Sequence, residues 1–474
     1  MDKNRVNRLV FLLVFLCSTA SAMAIGRVPR ILTQEMLNVE TEYIYVRADY
    51  TLAGATITIP QGKVLVFSGG SIDGGFLIGT ETSIRMKQKR PAFGVDLVIS
   101  GTWNVPEVHD GWFFFDDSEE FVSNQIIKNI LAFSNDETPC HIFFEEKRTY
   151  FFELPFKERK VLGAMVSTKV VNGEMKRIYS DLYRDKFEFL RIFTIPSNTH
   201  LTVNNKLKML PTSYGAYSIF WEYGKRNIIV DGTGMIAGDN DVHRYDLPVA
   251  GKTFYGEWGF IFRCFRCANF TFKDITLADA FGDCIIYSGS VNPEETEQRW
   301  SSGLFMENVK IIGARRNGLA VGARDVVIRN CYFENCGTDQ VNGTKPRAAV
   351  DFEPDGLSTY EEIGNENVLM ENCTFKGNYF DIASYNNNKA RYGKIATTVR
   401  NCVFTSPVSL TESRWLRFEN CYFPVLRNTN LSRHLEFVNC EFGELPEDTR
   451  KAPKHYYYTF TDCKFNSVVE KEAE

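Results

Sequence analysis

The feature that most constrains this chain is a four-residue phrase, Asn-Cys-x-Phe, which recurs through the C-terminal part of its 474 residues. Each copy follows a stretch in which apolar and polar residues alternate, as in NVLMENCTF, WLRFENCYF and HLEFVNCEF. Alternation, a bend and a second short apolar run are typical of two strands joined by a tight turn. Because a unit that recurs every ~20 to 45 residues cannot bury its apolar face alone, the pattern predicts a solenoid. The cysteines of the phrase are Cys331, Cys373, Cys402, Cys421, Cys440 and Cys463.

The shortest spacing between copies matches one coil of a parallel β-helix with short turns. Related phrases begin at Asn269, Asn308 and Asp325, so the repeat extends well before the first Asn-Cys-x-Phe. In stacked coils, equivalent side chains lie ~4.8 Å apart and form ladders along the molecule. We therefore expect the Cys and Phe of the phrase to face the interior, and its Asn to bond the backbone of neighbouring coils at the bend.

In these repeats the sequence resembles the right-handed parallel β-helix proteins of the pectin-lyase-like superfamily. The phrase NIIVDGTGMIAGD, which begins at Asn227, is similar to a coil of the polygalacturonase-like glycoside hydrolases. The resemblance implies an all-β fold, a single-stranded right-handed parallel β-helix with an N-terminal cap and an inserted helix or loop excursion. That architecture hosts hydrolases, lyases, epimerases and non-catalytic spikes, so the function has to be argued from a site.

The N-terminal residues indicate export to the periplasm or the cell exterior. Residues 1–24 combine Lys3, Arg5 and Arg8 with an apolar run and then small residues, which is typical of a secretory signal peptide. A lipoprotein anchored at Cys17 is the alternative. No other apolar run approaches the ~20 residues of a membrane span. With 54 basic and 59 acidic residues the net charge is −5, which gives no basic excess that would predict nucleic-acid binding.

We divide the rest of the chain according to how regularly the strand pattern recurs. Residues 25–110 are strand-rich and predict the N-terminal cap and first coils, 111–190 predict an α/β excursion or lid, 191–467 predict the main β-helix, and 468–474 form a charged tail. Helical spacing of apolar residues predicts a helix from about 119 to 133. The charged segment 153–186 is either a wall of a binding groove or a solvated insertion.

The cysteines are predicted to pack as core side chains. Export permits disulfides, but six of the twelve cysteines occupy one repeat position, where a small apolar side chain packs well. Cys264 and Cys267 form a CxxC in an apparent strand, where positions three apart face opposite sides. We therefore predict no metal or redox pair there, and no cofactor, with Ca²⁺ expected only if the protein is a lyase.

Aligning the second strand of four successive coils predicts which residues face outward. The four strands are GDCIIYSG, RNGLAVGA, RAAVDFEP and YFDIASYN. The outward positions are a bare floor (Gly318, Ala320 and Gly322), then Asp351 with Glu353, then Asp381 with Tyr385. The inward positions are Ile285, Tyr287, Leu319, Val321, Val350, Phe352, Ile382 and Ser384. A floor without side chains beside a cluster of acids has the shape of a saccharide groove.

Asp351 and Glu353 are the first catalytic candidates. They lie two residues apart on one face, so their Cα atoms are ~6.6 to 7 Å apart. Carboxyl groups ~6.5 to 9.5 Å apart suit an inverting glycosidase, in which one acid protonates the leaving oxygen and the other activates water. Asp381, one coil away, is expected to raise a neighbour's pKa by like-charge repulsion. Arg315, Arg316 and Arg347 are candidates to clamp a uronate or sulfate.

A second candidate cluster, Asp239, Asp241, His243 and Arg244, follows the DGTG coil. Asp283, in Gly-Asp-Cys, resembles part of the Gly-Asp-Asp-Cys phrase in which the acids of polygalacturonases are catalytic, although one of the two aspartates is missing here. The resemblance makes Asp283 a third catalytic candidate. His243 is a candidate for substrate binding or proton transfer.

Three functions remain open from the sequence. The first is a secreted glycoside hydrolase acting on an acidic glycan through Asp351 and Glu353. The second is a polysaccharide lyase or uronate epimerase, in which Arg315 and Arg316 stabilise an enolate while Tyr385 or His243 abstracts a proton. The third is a non-catalytic glycan-binding or surface solenoid. In each case the expected partner is a polysaccharide or oligosaccharide.

Overall fold

The computed structural model describes thirteen stretches of the chain, and within them the chain winds into a right-handed parallel β-helix, which confirms the predicted fold. The predicted signal peptide lies outside the described residues. In the part described, no helix is both long and apolar enough to span a membrane. The described stretches are 28–116, 121–154, 166–171, 174–179, 189–212, 214–243, 258–289, 300–353, 365–385, 393–411, 413–428, 432–446 and 458–469.

The N-terminal coils are built from eight strands in three short parallel ladders, β1-β3-β6, β2-β5-β7 and β4-β7-β8. These strands are β1 (Arg30–Ile31), β2 (Tyr43–Val46), β3 (Asp49–Thr51), β4 (Thr56–Thr58), β5 (Val64–Phe67), β6 (Ser71–Asp73), β7 (Gly75–Met86) and β8 (Leu97–Trp103).

The strands that follow include all those of the main body of the β-helix. They are β9 (Glu107–His109), β10 (Cys140–Phe144), β11 (Thr149–Phe152), β12 (Val166–Val171), β13 (Glu174–Tyr179), β14 (Leu190–Phe193), β15 (Thr199–Val203), β16 (Lys206–Met209), β17 (Tyr217–Tyr223), β18 (Arg226–Asp231), β19 (Met235–Ala237), β20 (Phe260–Phe265), β21 (Ala268–Lys273), β22 (Thr276–Ala278), β23 (Ile285–Ser288), β24 (Ser301–Glu307), β25 (Lys310–Ile312), β26 (Leu319–Arg329), β27 (Tyr332–Glu334), β28 (Ala348–Phe352), β29 (Glu366–Glu371), β30 (Thr374–Lys376), β31 (Phe380–Tyr385), β32 (Thr397–Arg400), β33 (Val408–Thr411), β34 (Arg414–Glu419), β35 (Tyr422–Asn428), β36 (Arg433–Val438), β37 (Glu441–Pro446), β38 (Thr459–Thr461) and β39 (Lys464–Val469).

Apart from the antiparallel pair β12 and β13, these strands stack in parallel into three long sheets. Sheet 1 contains β9, β10, β15, β18, β21, β24, β26, β29, β32, β34, β36 and β38. Sheet 2 contains β14, β17, β20, β23, β26, β28, β31, β33 and β35. Sheet 3 contains β11, β16, β19, β22, β25, β27 and β30, and β37 and β39 continue it below β35.

The interior of the helix is the predicted ladder of cysteine and aromatic side chains. Cys331, Cys402 and Cys440 are buried, and the phenylalanines of the same phrase stack ring on ring. The Phe423 and Phe442 ring centroids, for example, are 4.9 Å apart. The eleven cysteines in the described part of the chain are all free thiols.

The asparagines of the repeat form a ladder of a different kind from the one predicted. Their backbones adopt the left-handed conformation, with φ of +52° at Asn420, which Asn tolerates better than most residues. The side-chain amide of Asn439 donates to Asn420 at 2.8 Å, and that of Asn420 donates to Asn401 at 2.9 Å. The prediction that these side chains bond the neighbouring backbone was therefore wrong, because each amide has an identical amide one coil away.

One α-helix, α1 (Asn124–Leu131), lies within the range predicted for a helix, and residues 117–120 before it fall outside the description. It packs on β8 through Asn129, which is buried. The Asn129 amide donates to Leu97 O at 2.7 Å and accepts from Ile99 N at 2.9 Å. The side chain thus takes the place of a neighbouring strand. Short 3₁₀ turns occur at Gln34–Leu37, Asp110–Trp112 and Asn240–Val242.

The excursion predicted at 111–190 contains two strands of the main body. β10 pairs with β9 and β15 in sheet 1, and β11 pairs with β16 in sheet 3. The β12–β13 hairpin is the other described part of this range beyond β11, and 155–165 and 180–188 lie outside the description. The strands of the main sheets therefore begin at Glu107.

The CxxC does not have the geometry predicted for it. β20 ends at Phe265, and Arg266 turns the chain with φ of +58°, so strand alternation does not continue to Cys267. Both thiols are fully buried and hydrogen-bond to each other, and burial is the main reason that the pKa of Cys264 lies well above its ordinary value. The two side chains are neighbours in the core, whereas we predicted opposite faces.

Candidate active site

Sheet 2 positions the predicted site, and its register matches the sequence alignment of the coils. Ile285 pairs with Leu319, Leu319 with Val350, and Val350 with Ile382, and all four are buried in the core. The residues between them point to the outer face of the sheet. The predicted inward residues are therefore confirmed, and Ala320 and Asp351 lie on the outer face as predicted.

An open cleft runs over this outer face, with about 490 Å³ of empty space, part of it open to solvent. One part of its lining is apolar and aromatic, and another part carries two carboxyl groups and two guanidinium groups. Its lining residues are Trp258, Phe260, Arg263, Phe265, Ile286, Arg316, Ala320, Asp351 and Glu353.

Asp351 is the most constrained acid of the cleft. It is completely buried on the outer face of β28, the Asn317 amide donates to its Oδ2 at 3.3 Å, and its carboxyl also contacts that of Glu353. Asn317 is itself fixed, because its Oδ1 accepts from the backbone N–H of Ala348 at 3.0 Å. Burial, and then the negative charge of Glu353, raises the pKa of Asp351 well above its ordinary value. A carboxyl in this setting retains its proton at higher pH than an exposed one.

Asp283, predicted as a separate catalytic candidate, joins the same site. Its carboxylate is buried and forms an ion pair with Arg316, whose Nη1 lies 2.7 Å from Oδ2, and it also accepts from the backbone N–H of Asn317 at 3.0 Å. Burial raises the pKa of Asp283 to about 6, partly offset by Arg316. Asp283 and Asp351 are therefore bridged by one residue, Asn317, whose role the sequence did not suggest.

The floor of the cleft differs from the predicted one. Ala320 lines the cleft, but a Cβ at Gly318 would point at core atoms, 3.0 Å from Ile311 Cγ2 and 3.1 Å from Cys336 Sγ. Gly318 precedes the first residue of β26, so strand alternation does not apply to it. The floor instead runs from coil to coil, through Ile286 and Ala320.

Asp381 does not belong to the acidic cluster. The neighbour of Asp351 in the next coil is Ala383, and Asp381 is buried at the corner beside the following turn. There it accepts from the backbone N–H groups of Thr405 and Ser406, at 2.6 and 2.8 Å, and from the Asn378 amide. The prediction that Asp381 raises the pKa of its cleft neighbours was wrong, because the charges acting on Asp351 come from Glu353, Arg316 and Asp283. The side chain of Tyr385 lies outside the described part.

Arg315 and Arg347, predicted as anion clamps, face the protein. Arg315 is 1% exposed; its Nε donates to Phe281 O at 2.6 Å, and its guanidinium stacks 3.8 Å from the Phe281 ring centroid. Arg347 stacks 3.8 Å from the Tyr379 ring centroid and donates to Gly337 O. Neither lines the cleft.

His243 is also interior. Its ring stacks on Phe281, the same ring that Arg315 contacts, with 3.6 Å between ring centroids. Its Nδ1 lies 2.8 Å from Asp239 Oδ2. Asp239 is buried and also accepts from Thr212 N and the Tyr217 hydroxyl. These residues brace the turns that carry Asp283 and Arg316. Arg244 of the predicted cluster lies outside the described residues.

Sequence reasoning missed the aromatic wall of the cleft. Phe260, Arg263 and Phe265 belong to β20, which stood out in the sequence only for its CxxC, and Ile286 lies on β23. Phe260, Phe265, Ile286 and Ala320 form an apolar cluster separate from the core, on the outer face. Outward aromatic residues in a strand were the available signal.

The described residues contain no group of three or more His, Cys, Asp or Glu side chains arranged to hold a metal ion.

Comparisons with known proteins give the fold context of this site and leave its activity open. No family model matches the chain. The uncharacterized protein YclG of Bacillus subtilis (strain 168) is 30% identical over 187 residues, which is 39% of this chain and 31% of that relative's length. The matched region thus spans less than a third of the relative.

Similar solved structures include enzymes and an adhesin. The tailspike gp49 of Acinetobacter baumannii bacteriophage Fri1, a capsular polysaccharide depolymerase, is 12% identical with a TM-score of 0.37, covering 91% of this chain and 64% of that one. PfbA, a surface adhesin of Streptococcus pneumoniae, is 11% identical with a TM-score of 0.39, covering 92% and 86%. The family 28 exopolygalacturonase of Yersinia enterocolitica is 9% identical with a TM-score of 0.28, covering 94% and 78%. At these scores the likenesses do not decide the activity of this chain.

Proposed function

We propose that this protein is an exported polysaccharide hydrolase that cleaves glycosidic bonds in the cleft of sheet 2. The observation that carries the proposal is a pair of carboxyl groups, Asp351 and Glu353, that line one cleft but differ in environment. Asp351 is completely buried, whereas Glu353 is partly exposed. Two titratable groups held in different environments are what acid and base catalysis by a carboxyl pair requires.

In this proposal Asp351 is the proton donor. Its raised pKa supports a protonated carboxyl near neutral pH. The proton passes to the glycosidic oxygen as the bond between that oxygen and the anomeric carbon breaks. Glu353 acts as the base that takes up a proton from the attacking water, and the products together gain one water molecule.

Asp283 and Arg316 act as a positioning pair. The ion pair between them fixes the Arg316 guanidinium at the cleft wall, and Arg316 in turn lowers the pKa of both aspartates relative to burial alone. Trp258 provides a ring surface on which the apolar face of a sugar can pack. Export is supported by the signal-peptide pattern of residues 1–24.

The test is incubation with a panel of neutral and acidic glycans, with products analysed by mass. A gain of one water per cleavage is expected, and Asp351→Asn and Glu353→Gln should each reduce the rate at least about a hundredfold. A matched control is Asp325→Asn, because the equivalent position in the next coil, Asn367, already carries Asn, and the amide of Asn367 donates to Asp325 at 2.7 Å. The control should retain full activity.

Two results would overturn the proposal. Cleavage without a gain of water would establish elimination, and binding without any product would establish a non-catalytic solenoid. Unchanged turnover in both cleft variants would move the chemistry away from Asp351 and Glu353.

A further inference from the structure

The cysteines of the repeated phrase form a continuous ladder of thiols inside the β-helix. The sulfur of each lies 3.3 to 3.4 Å from the carbonyl oxygen two residues before it, so each thiol occupies the same place in its own coil. Each thiol is also in hydrogen-bonding contact with the thiol of the neighbouring coil. We call this set the thiol ladder, and its members are Cys331, Cys373, Cys402, Cys421, Cys440 and Cys463.

The thiol ladder is accessible at one end. Of the eleven cysteines in the described part of the chain, ten are buried, and Cys463 is the one that is partly exposed. Cys440, its neighbour in the ladder, is 1% exposed and lies directly behind it. A reagent in solvent therefore meets the ladder at Cys463. An accessible thiol with a second thiol next to it is the arrangement in which an oxidised cysteine is converted to a disulfide.

The backbone places Cys440 and Cys463 at equivalent positions of neighbouring coils. On one side of the pair the Asn439 N–H donates to Thr461 O at 2.8 Å, and on the other side the Lys464 N–H donates to Cys440 O at 2.9 Å. Equivalent Cα atoms in adjacent parallel strands are ~4.8 Å apart. A disulfide requires Cα atoms ~4.4 to 6.8 Å apart, so these two cysteines can be joined without a change of register.

We propose that Cys440 and Cys463 are a modification site, at which a small-molecule disulfide in solvent converts the two thiols into an intramolecular disulfide. The Cys463 thiolate attacks the disulfide of the reagent, and half of the reagent leaves as a thiolate. The Cys440 thiol then loses its proton to solvent and attacks the Cys463 sulfur, which releases the second half. In total the protein gives up two electrons and two protons, and the reagent is reduced to two thiols.

The disulfide would join the coil of β38 and β39 to the coil of β36 and β37. In a solenoid each coil is held only by its neighbours, so a covalent bond between two coils restricts the local unfolding of both. Export, as proposed above, would bring the protein into a compartment where disulfides form and persist. The site is independent of the cleft on sheet 2 and goes beyond the proposed hydrolysis.

The test is incubation of the reduced full-length protein with glutathione disulfide, followed by alkylation of the remaining thiols and mass mapping of peptides. The ladder should lose two alkylatable thiols, and the peptides that contain Cys440 and Cys463 should be found joined, with a mass lower by two hydrogen atoms than their sum. Hydrogen exchange of the backbone amides of β38 and β39 should slow at least about tenfold once the disulfide has formed.

Three variants assign the two roles. Cys440→Ser lacks the second thiol, so its reaction should stop at a mixed disulfide between Cys463 and glutathione. In Cys463→Ser no cysteine of the ladder should react, because the other members are buried. The matched control is Cys331→Ser, at the opposite end of the ladder, which should still form the disulfide. Circular dichroism shows whether each variant is folded, and the mapping of the wild type needs no variant.

Three results would overturn the inference. The first is a wild type in which both thiols remain free, and the second is a mixed disulfide at Cys463 that persists in the wild type. The third is a disulfide between members of the thiol ladder other than this pair. None of these results depends on whether the protein hydrolyses a glycan, so the inference and the proposed function fail or stand separately.

Discussion

Glu222 allows a direct test of how a buried carboxyl group affects the stability of this protein. Its side chain is on the inward face of β17, paired with Cys264, and is 1% exposed. Its Oε1 accepts from the backbone N–H of Ile195 at 2.9 Å, and its Oε2 has no hydrogen-bond partner among the described residues. Burial raises the pKa of Glu222 well above its ordinary value of 4.5. The folded protein therefore holds this carboxyl in its protonated form.

The pKa of Glu222 predicts how stability depends on pH. In the unfolded chain Glu222 loses its proton above its ordinary pKa of 4.5, while the folded chain retains it up to the raised value. The unfolded state then binds fewer protons than the folded state, so stability falls as the pH rises, by about 1.4 kcal/mol per pH unit for this one group. Below pH 4.5 the contribution is fully retained. Glu222→Gln removes the ionisation and leaves an amide oxygen for Ile195.

The free energy of unfolding of wild type and Glu222→Gln should therefore diverge as the pH rises above 4.5. Urea unfolding followed by tryptophan fluorescence at each pH measures the difference, and the variant should gain about 1.4 kcal/mol over wild type per pH unit until the folded pKa is reached. Glu137→Gln, an exposed site, should track the wild type. If the difference between wild type and Glu222→Gln is constant with pH, the carboxyl is not protonated in the fold and the reasoning fails.

Three other outcomes are expected. Asn129→Ala leaves two backbone groups of β8, including Leu97 O, without partners, which should cost about 2 to 4 kcal/mol and speed amide hydrogen exchange in β8. Asn420→Ala should cost about 1 to 3 kcal/mol in thermal unfolding, since it loses two ladder bonds and the left-handed preference; Asn420→Gly should recover the conformational part. Arg316→Gln removes a cation that lowers the pKa of Asp351, so the pH at which activity falls on the alkaline side of the pH–rate profile should be higher in the variant. If that pH is unchanged, Asp351 is not the acid.

The fold could be predicted because every coil of a solenoid repeats the same pattern of inward and outward residues. Each coil places Cys and Phe of the repeated phrase at the same inward positions, so a pattern weak in one coil becomes strong in several. The register of sheet 2 then follows from aligning coils, and Leu319, Val350 and Ile382 stack as the alignment predicted. The position of the asparagine ladder was predicted correctly, but its hydrogen-bond partners were not, because an amide can bond either the backbone or an identical amide.

The candidate site was harder to predict because alternation applies only within strands. Gly318 precedes β26 and points at the core. Asp381 lies within β31, but the turn of the next coil covers it, so it does not reach the cleft either. Arg266 turns the chain and brings Cys267 beside Cys264. Residues that are neighbours in adjacent coils are far apart in sequence, and the number of residues per coil varies. The local sequence around Arg263 or Asp351 therefore does not indicate that the two share a cleft.

The molecule can carry buried carboxyls because of how a solenoid distributes stability. Each buried acid with a raised pKa, such as Glu222, Asp283 and Asp351, destabilises the fold near neutral pH. Stability in a solenoid is close to a sum over coils and their interfaces, so coils that lose stability at a site can be supported by neighbours. The C-terminal coils, with continuous Asn, Cys and Phe ladders from β34 to β39, provide such support. Asp283 and Asp351 carry this cost at the cleft, which is best explained by selection for function there.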